Sequence, residues 1–518
     1  MDRRQLHNLG PTALAAALAG LTLLAVWFIG RPAGTPLGFP LDDSWIHMVY
    51  GRSLAAEGVL GYNPGEPTTG ATSLLWAILL GGVHAVFGHA ALATRVAAVL
   101  VLGGLLHILT AALCADLAQR MAGPRAGFIT GVLVAGNPAL AFAALSGMEV
   151  ALTTALLVAG VRALHLRAWA WAGLWLGLAP LARPEAALAA VALVALSTAL
   201  HRPVDRPAWF KRALQLGGPA LAFGLLVVSR NLAVTGHALP ATYYAKVTEV
   251  SWAETPQRLW HALQYVLGKT PPVAHGLGLP FLLGLAARRH WPSLLPFVAS
   301  FAYLLAHVRV SALGEPDVFY AVRYLLPIVP TLTLALVLGA LALGEHLRER
   351  LRVLPLALLV LLALTQAGMT LQHVSWKLAN DTRNIDEVQC AAGRWIAAHV
   401  PADRRVATVD AGAVRYFGNR WTLDLMGLNT PMMLWQPAAY TRSHPVVAAV
   451  IVPGLAKPPS SPEFVAPWSY RTRDYHVTYV PALGFQAIVT CQKAADSAPR
   501  QMVLQGPGMH TMLWCQRF

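Results

Sequence analysis

Residues 39–76 read FPLDDSWIHMVYGRSLAAEGVLGYNPGEPTTGATSLLW, a polar stretch with two adjacent carboxylates, Asp42 and Asp43, set between hydrophobic segments. Before it, residues 11–30 form an apolar run long enough to cross a hydrocarbon core of about 30 Å. After it, apolar runs recur as far as Leu371. The stretch is therefore the first loop of a polytopic helical membrane protein, because helices satisfy their own backbone groups in lipid.

Composition agrees. The 518 residues are 56% hydrophobic and 12% charged, against roughly 25% charged in an average globular chain. The formal charge of +15 does not mark a nucleic-acid partner. Lys and Arg are scattered among short inter-helix loops, as positive-inside bias requires. Arg3, Arg4 and His7 precede the first apolar run and no small-residue cleavage site follows it, so a signal anchor with a cytoplasmic N-terminus is expected.

Putting the basic loops inside gives about 11 spans: residues 11–30, 96–113, 128–144, 150–164, 169–181, 186–200, 213–229, 273–287, 294–306, 325–343 and 354–371. This scheme needs the short apolar segment 74–87 not to cross. It leaves residues 31–69, 231–270, 307–324 and the tail on the outer side. Two domains are expected, a membrane bundle over 1–372 and an extracytoplasmic α/β domain over 373–518. The tail opens with a helix-like segment, 384–399, followed by strand-like runs at 405–408, 446–452, 476–480, 487–490 and 511–515. The four cysteines, 114, 390, 491 and 515, lack metal-type spacing. Cys491 and Cys515 are placed to pair if the tail is outside, and free buried thiols are the alternative.

Segment 44–57 reads as an amphipathic helix in the interface plane, with Trp45, Met48, Val49 and Leu54 on one side. Asp42 and Asp43 stand at its N-terminal edge, where the helix dipole favours negative charge. A cap accounts for one aspartate and not for two. The outer side also collects Glu66, Glu149, Arg183, Glu185, Tyr243, Tyr244, Lys246, Glu315, Asp317 and Arg323. Ionisable groups among membrane helices are costly and so are functional candidates, the bland alternative being solvated loop charges. A group transfer needs a carboxylate to take a proton and cations to meet a departing phosphate. In LPATYYAK, 239–246, Lys246 suits an anionic headgroup flanked by Tyr243 and Tyr244. His307 is as readily a packed polar residue as a ligand.

The motifs Asp42-Asp43, Arg52-Ser53-Leu54, Tyr62 to Glu66 and Gly70 to Trp76 resemble the first outer loop of GT-C-type membrane glycosyltransferases. The similar branch is the bacterial arabinofuranosyltransferases that use polyprenyl-phosphate arabinose. Ser146 to Glu149, Arg183-Pro184-Glu185, Leu239 to Lys246, Arg323-Tyr324 with Pro327, Asp410 to Ala413 and Asp424 to Leu428 extend the resemblance along the chain. Ser44-Trp45-Ile46-His47-Met48-Val49-Tyr50 departs from the usual small residue and Phe-Arg-Tyr run, and Leu313-Gly314-Glu315-Pro316-Asp317 stands in place of the usual Gly-Gly-Asp.

The resemblance implies transfer of a sugar, such as arabinofuranose, from a polyprenyl phosphate to an acceptor hydroxyl. The acceptor would be a cell-envelope glycan or glycoprotein, at the outer face of the bacterial cytoplasmic membrane. Asp42 or Asp43 would be the base. Lys246 and Arg323, helped by Arg95 and Arg183, would neutralise the phosphate. Glu149, Glu185, Glu66, Asp317 and His307 would bind sugar or acceptor. Some relatives hold a divalent ion through the first-loop aspartate, and Mg²⁺ or Mn²⁺ would suit Asp42 or Asp43. A transporter or flippase for polyprenyl-linked glycans is the alternative, but it would call for mid-membrane charges and an internal repeat. A membrane-anchored binding protein would leave the aspartate pair without a task.

Overall fold

The computed structural model describes residues 3–200, 205–247, 250–268, 291–310, 323–444, 446, 448–450, 489–490 and 512–513. The chain forms two compact units. The first takes Met1–Pro32, Leu100–Val227 and Val247–Leu378, and the second takes Ala33–Val99, Val228–Lys246 and Ala379–Phe518. The second unit thus gathers the aspartate loop, the Lys246 segment and the tail.

In the first unit, Val161, Leu164, Leu176, Leu193, Leu295, Leu334 and Val337 build a helical core. Small residues set the helix spacing, as in membrane bundles generally. A Cβ on Gly173 would lie 2.0 Å from the Gln215 carbonyl oxygen, and one on Gly103 2.0 Å from that of Ala144. A second core joins Leu23 and Val26 to Phe142, Leu145 and Leu378.

Five helices among the described residues are long and apolar enough to cross a membrane: Gly10–Phe28, Leu92–Ala122, Arg206–Thr235, Leu326–His346 and Glu349–Ile385. The bent pair Pro124–Ala135 and Pro138–Ala144 makes a sixth if taken as one span. The expected count of about 11 is not confirmed among the described residues. Val150–His165, Trp169–Ala182, Ala186–Leu200 and Leu295–Val310 have 14 to 16 residues. At about 1.5 Å per residue they reach only about 24 Å, short of a core of about 30 Å. Leu74–Phe87 is likewise 14 residues long. The expected span 128–144 breaks with a 60° bend, because Asn137 caps a new helix whose first residue is Pro138. Segment 273–287 lies outside the described residues.

The second unit begins with the helix Asp42–Glu57, which ends on Gly58 in the left-handed conformation. It is not amphipathic: eight consecutive residues, Ser44 to Gly51, are buried. The expected position in the interface plane is corrected accordingly. Protein covers the helix on more than one side, with Leu74–Phe87 and the tail helix Ala413–Gly418 both packed on it. Trp45 lies 4.9 Å from Phe39, 5.1 Å from Tyr416 and 4.8 Å from Phe417, ring to ring, each such pair contributing about 0.5–1.5 kcal/mol beyond its area.

The tail is α/β. Its parallel sheet has the order Trp421–Asp424, Arg405–Thr408, Ala448–Val450, with Ala413–Gly418 as the crossover helix between the first two. The strand Trp421–Asp424 was not expected. The segment 384–399 is not a free-standing helix. The apolar helix Leu354–Ile385 continues through a π turn, Asp386–Cys390, into Ala391–His399. Val489–Thr490 pairs with Met512–Leu513, within two of the expected strands. The strand at 476–480 and the Cys491–Cys515 pairing lie outside the described residues. Cys114 and Cys390 are buried free thiols.

Candidate active site

Of the residues singled out in the sequence, Glu149, Arg183, Glu185, His307 and Arg323 belong to the first unit, and Asp42, Asp43, Glu66, Arg95, Tyr243, Tyr244 and Lys246 to the second. In the second unit Asp42 is buried and Asp43 half-buried in the first turn of Asp42–Glu57. Asp42 Oδ2 accepts the Gly412 N–H at 2.7 Å, and Oδ1 accepts the Ala413 N–H at 2.8 Å. The Gly412 backbone comes so close that a Cβ there would lie 2.0 Å from the Asp42 carbonyl oxygen. The Tyr62 hydroxyl donates to the Ala411 carbonyl at 2.7 Å, and Gln389 Nε2 donates to Asp410 Oδ2 at 2.9 Å. Asp42, Asp43 and Asp410 are thereby gathered by a turn that joins a strand to a helix.

Burial pushes the Asp42 carboxyl well above the usual carboxylate range, and the charge of Asp410 adds to it, while the two peptide N–H groups pull the other way. Asp410 is pushed up to about 6, by burial and by the charges of Asp43 and Asp424, against the Gln389 bond. Asp424 is fully buried. It accepts the N–H groups of Met426 and Asn429 and the Asn429 side-chain amide at 2.8–2.9 Å, shaping a turn in which Gly427 takes φ +73°. Burial lifts Asp424 to about 6, with the Asn429 bonds and the positive charge of Lys246 lowering it.

Lys246 is exposed at the end of the short helix Ala241–Lys246. That helix is tied to the first loop by the Thr72–Thr242 hydroxyl pair at 2.7 Å and by the Ala241 N–H on Thr69 Oγ1 at 3.1 Å. Tyr243 and Tyr244 are 38% and 41% exposed. Tyr244 sits edge-on to His237 and Trp435, which stack on each other 4.2 Å apart. Arg95 turns onto the carbonyls of Gly88 and Ala90 at 2.8 and 2.7 Å, closing a helix-to-helix turn. Glu66 accepts the Trp421 indole N–H at 2.8 Å.

In the first unit Glu149, Arg183, Glu185, His307 and Arg323 converge. Gly147, at φ +76°, turns the chain so that Glu149 precedes the helix Val150–His165. Arg183 is extended between Trp169–Ala182 and the next helix. Its Nη2 lies 2.7 Å from Glu149 Oε1, and its Nη1 3.8 Å from Glu185 Oε1. Tyr324 stacks on His307 at 5.4 Å, under the guanidiniums of Arg183 and Arg323. Two guanidiniums thus balance two carboxylates, as burial of charge demands. Asp317 and Glu315 lie outside the described residues.

Among the described residues no three His, Cys, Asp or Glu side chains come together as a metal-holding group. With both oxygens already accepting peptide N–H groups, Asp42 by itself fits a divalent ion poorly. Sequence reasoning missed Asp410 and Gln389 as members of the carboxylate cluster. The motif at 410–413 was visible, but its pairing with a loop 370 residues earlier was not.

A family model described as a domain of unknown function (DUF8728) matches residues 382–498. Comparison with curated proteins finds no match. Among solved structures, ArnT from Cupriavidus metallidurans in the apo state is similar at TM-score 0.56 and 14% identity, over 85% of this chain and 92% of that one. ArnT bound to undecaprenyl phosphate gives 0.56 at 13% identity, over 86% and 93%. Archaeal oligosaccharyltransferase AglB from Archaeoglobus fulgidus, in complex with an inhibitory peptide and a dolichol-phosphate, gives 0.51 at 13% identity, over 82% of this chain and 65% of that one. Likenesses at such identities speak to the fold, and the fold of this chain is of the GT-C type.

Proposed function

We propose that this chain is a glycosyltransferase that moves a sugar from a polyprenyl-phosphate donor to an acceptor hydroxyl of a cell-envelope glycan or glycoprotein. The reading places the reaction at the outer face of the cytoplasmic membrane, with the tail outside, and takes arabinofuranose as the first sugar to test. The similarity to ArnT bound to undecaprenyl phosphate and to AglB bound to a dolichol-phosphate supports a lipid-linked donor.

The observation that carries the reading is the unequal environment of the two aspartates. Asp42 is buried with both oxygens turned to the peptide N–H groups of 412–413, whereas Asp43 beside it is only half-buried and within reach of an acceptor, and we assign it the proton. Asp43 takes the proton of the acceptor hydroxyl as that oxygen bonds the anomeric carbon. The bond from that carbon to the phosphate oxygen breaks, and the polyprenyl phosphate leaves with the electron pair and with inversion. Lys246 meets the phosphate, with Tyr243 and Tyr244 beside the headgroup.

The test is transfer in reconstituted liposomes. Asp43→Asn should lower turnover by about 10²–10⁴-fold, the usual worth of a general base. Lys246→Ala should raise the donor KM by roughly tenfold, about 1.4 kcal/mol. Undiminished turnover in Asp43→Asn sinks the base assignment, and an unchanged donor response in Lys246→Ala removes Lys246 from the phosphate.

A further inference from the structure

Asp42 is not an ordinary helix cap. A capping aspartate bonds the free N–H groups of its own first turn. Both bonds of Asp42 instead go to Gly412 and Ala413, 370 and 371 residues along the chain. The backbones meet as well, since the Asp42 carbonyl fills the space that a side chain at Gly412 would need. The turn is itself braced by the Tyr62 hydroxyl on Ala411 and by the Thr408 hydroxyl on the Asp410 carbonyl at 2.9 Å.

We propose that the tail turn 410–413 is a positioning element for sugar transfer, clamping Asp42 so that the neighbouring Asp43 is held in its working direction. Successive residues on a helix point about 100° apart, so fixing the side chain and carbonyl of Asp42 fixes the bearing of Asp43. Further ties hold the same two segments in register. Asn63 exchanges two bonds with Thr422 at 2.9 and 3.1 Å, the Tyr50 hydroxyl donates to Asn429 Oδ1 at 2.9 Å, and Arg52 donates to the Tyr416 carbonyl at 2.9 Å. The clamp gives a task to the segment matched only as a domain of unknown function: it completes the base. The inference rests on the assignment of Asp43 as that base.

The experiment uses the full chain in detergent and in liposomes, with Asp42→Asn, Gly412→Ala and Asp43→Asn. The donor is the lipid-linked sugar extracted from a strain lacking the gene, and undecaprenyl phosphate is the binding probe. Asp42→Asn keeps the size of the side chain but turns one N–H acceptor into a donor. It should lower kcat at least tenfold with donor KM within twofold, and the stabilisation by undecaprenyl phosphate should persist. Gly412→Ala should do the same where it folds. Wild-type kcat in Asp42→Asn beside an inactive Asp43→Asn overturns the clamp alone. So does a raised KM at unchanged kcat, which would make the turn part of the lipid site. Failure of Asp42→Asn to fold reduces the bonds to a folding role and also overturns it. An active Asp43→Asn sinks the base assignment, and the clamp with it.

Discussion

Asp410 lies close enough to Asp43 for that charge to help raise its carboxyl. Its carboxyl sits at about 6, above the unfolded value of about 3.9. An acid raised in this way contributes stability that is fully present below the unfolded value and is lost as pH rises through about 6. Gln389 is arranged for either protonation state. Its amide N–H donates to Asp410, and its Oε1 is buried without a hydrogen-bond partner among the described residues. In Asp410→Asn a flipped Gln389 amide can accept the new N–H. That variant should fold and should flatten the fall in Tm between pH 5 and 7, a difference of about 1–3 kcal/mol in the native chain. An equally steep profile in Asp410→Asn would place the titration elsewhere. The aspartate pair was legible from the sequence because adjacent carboxylates in an apolar chain have few structural excuses. The unequal roles of the two were not, since they depend on two peptide N–H groups far along the chain.

At the scale of elements, the break between Pro124–Ala135 and Pro138–Ala144 is built by one side chain. Asn137 Oδ1 accepts the N–H groups of Ala139 and Leu140 at 3.0 and 3.2 Å, which a continuous helix would have bonded internally. Asn137→Ala should cost about 1 kcal/mol and Asn137→Ser much less, read as Tm in detergent. Equal melting of the three proteins would show that Pro138 alone makes the break. Asn-Pro was present in the sequence, yet the apolar run across it hid the bend. Elsewhere helix edges were legible wherever Gly, Pro or charge interrupts hydrophobicity, as at Arg183-Pro184-Glu185. The π turn at 386–390 opens on Asp386 and Glu387, but it lies in a stretch already rich in charge and has no Gly or Pro to mark it, and Trp421–Asp424 is four residues long, too short to display alternation.

At the scale of the whole molecule, hydropathy made the membrane bundle legible and the Val-rich runs made an α/β tail legible. What no periodicity could reveal is that the second unit is assembled from three separated stretches, Ala33–Val99, Val228–Lys246 and Ala379–Phe518. Burial over-determines that assembly: Asp42, Asn63, Tyr50 and Tyr62 all spend their polar groups on tail partners.

The 370-residue separation of Asp42 and Gly412 also sets a clock. A ribosome adding about 5–20 residues per second needs about 20–70 s to make the partner of a loop it has already released. For that interval the aspartate helix can pack on Leu74–Phe87 but lacks its tail partners. Until then the newborn chain is more open to proteases and chaperones.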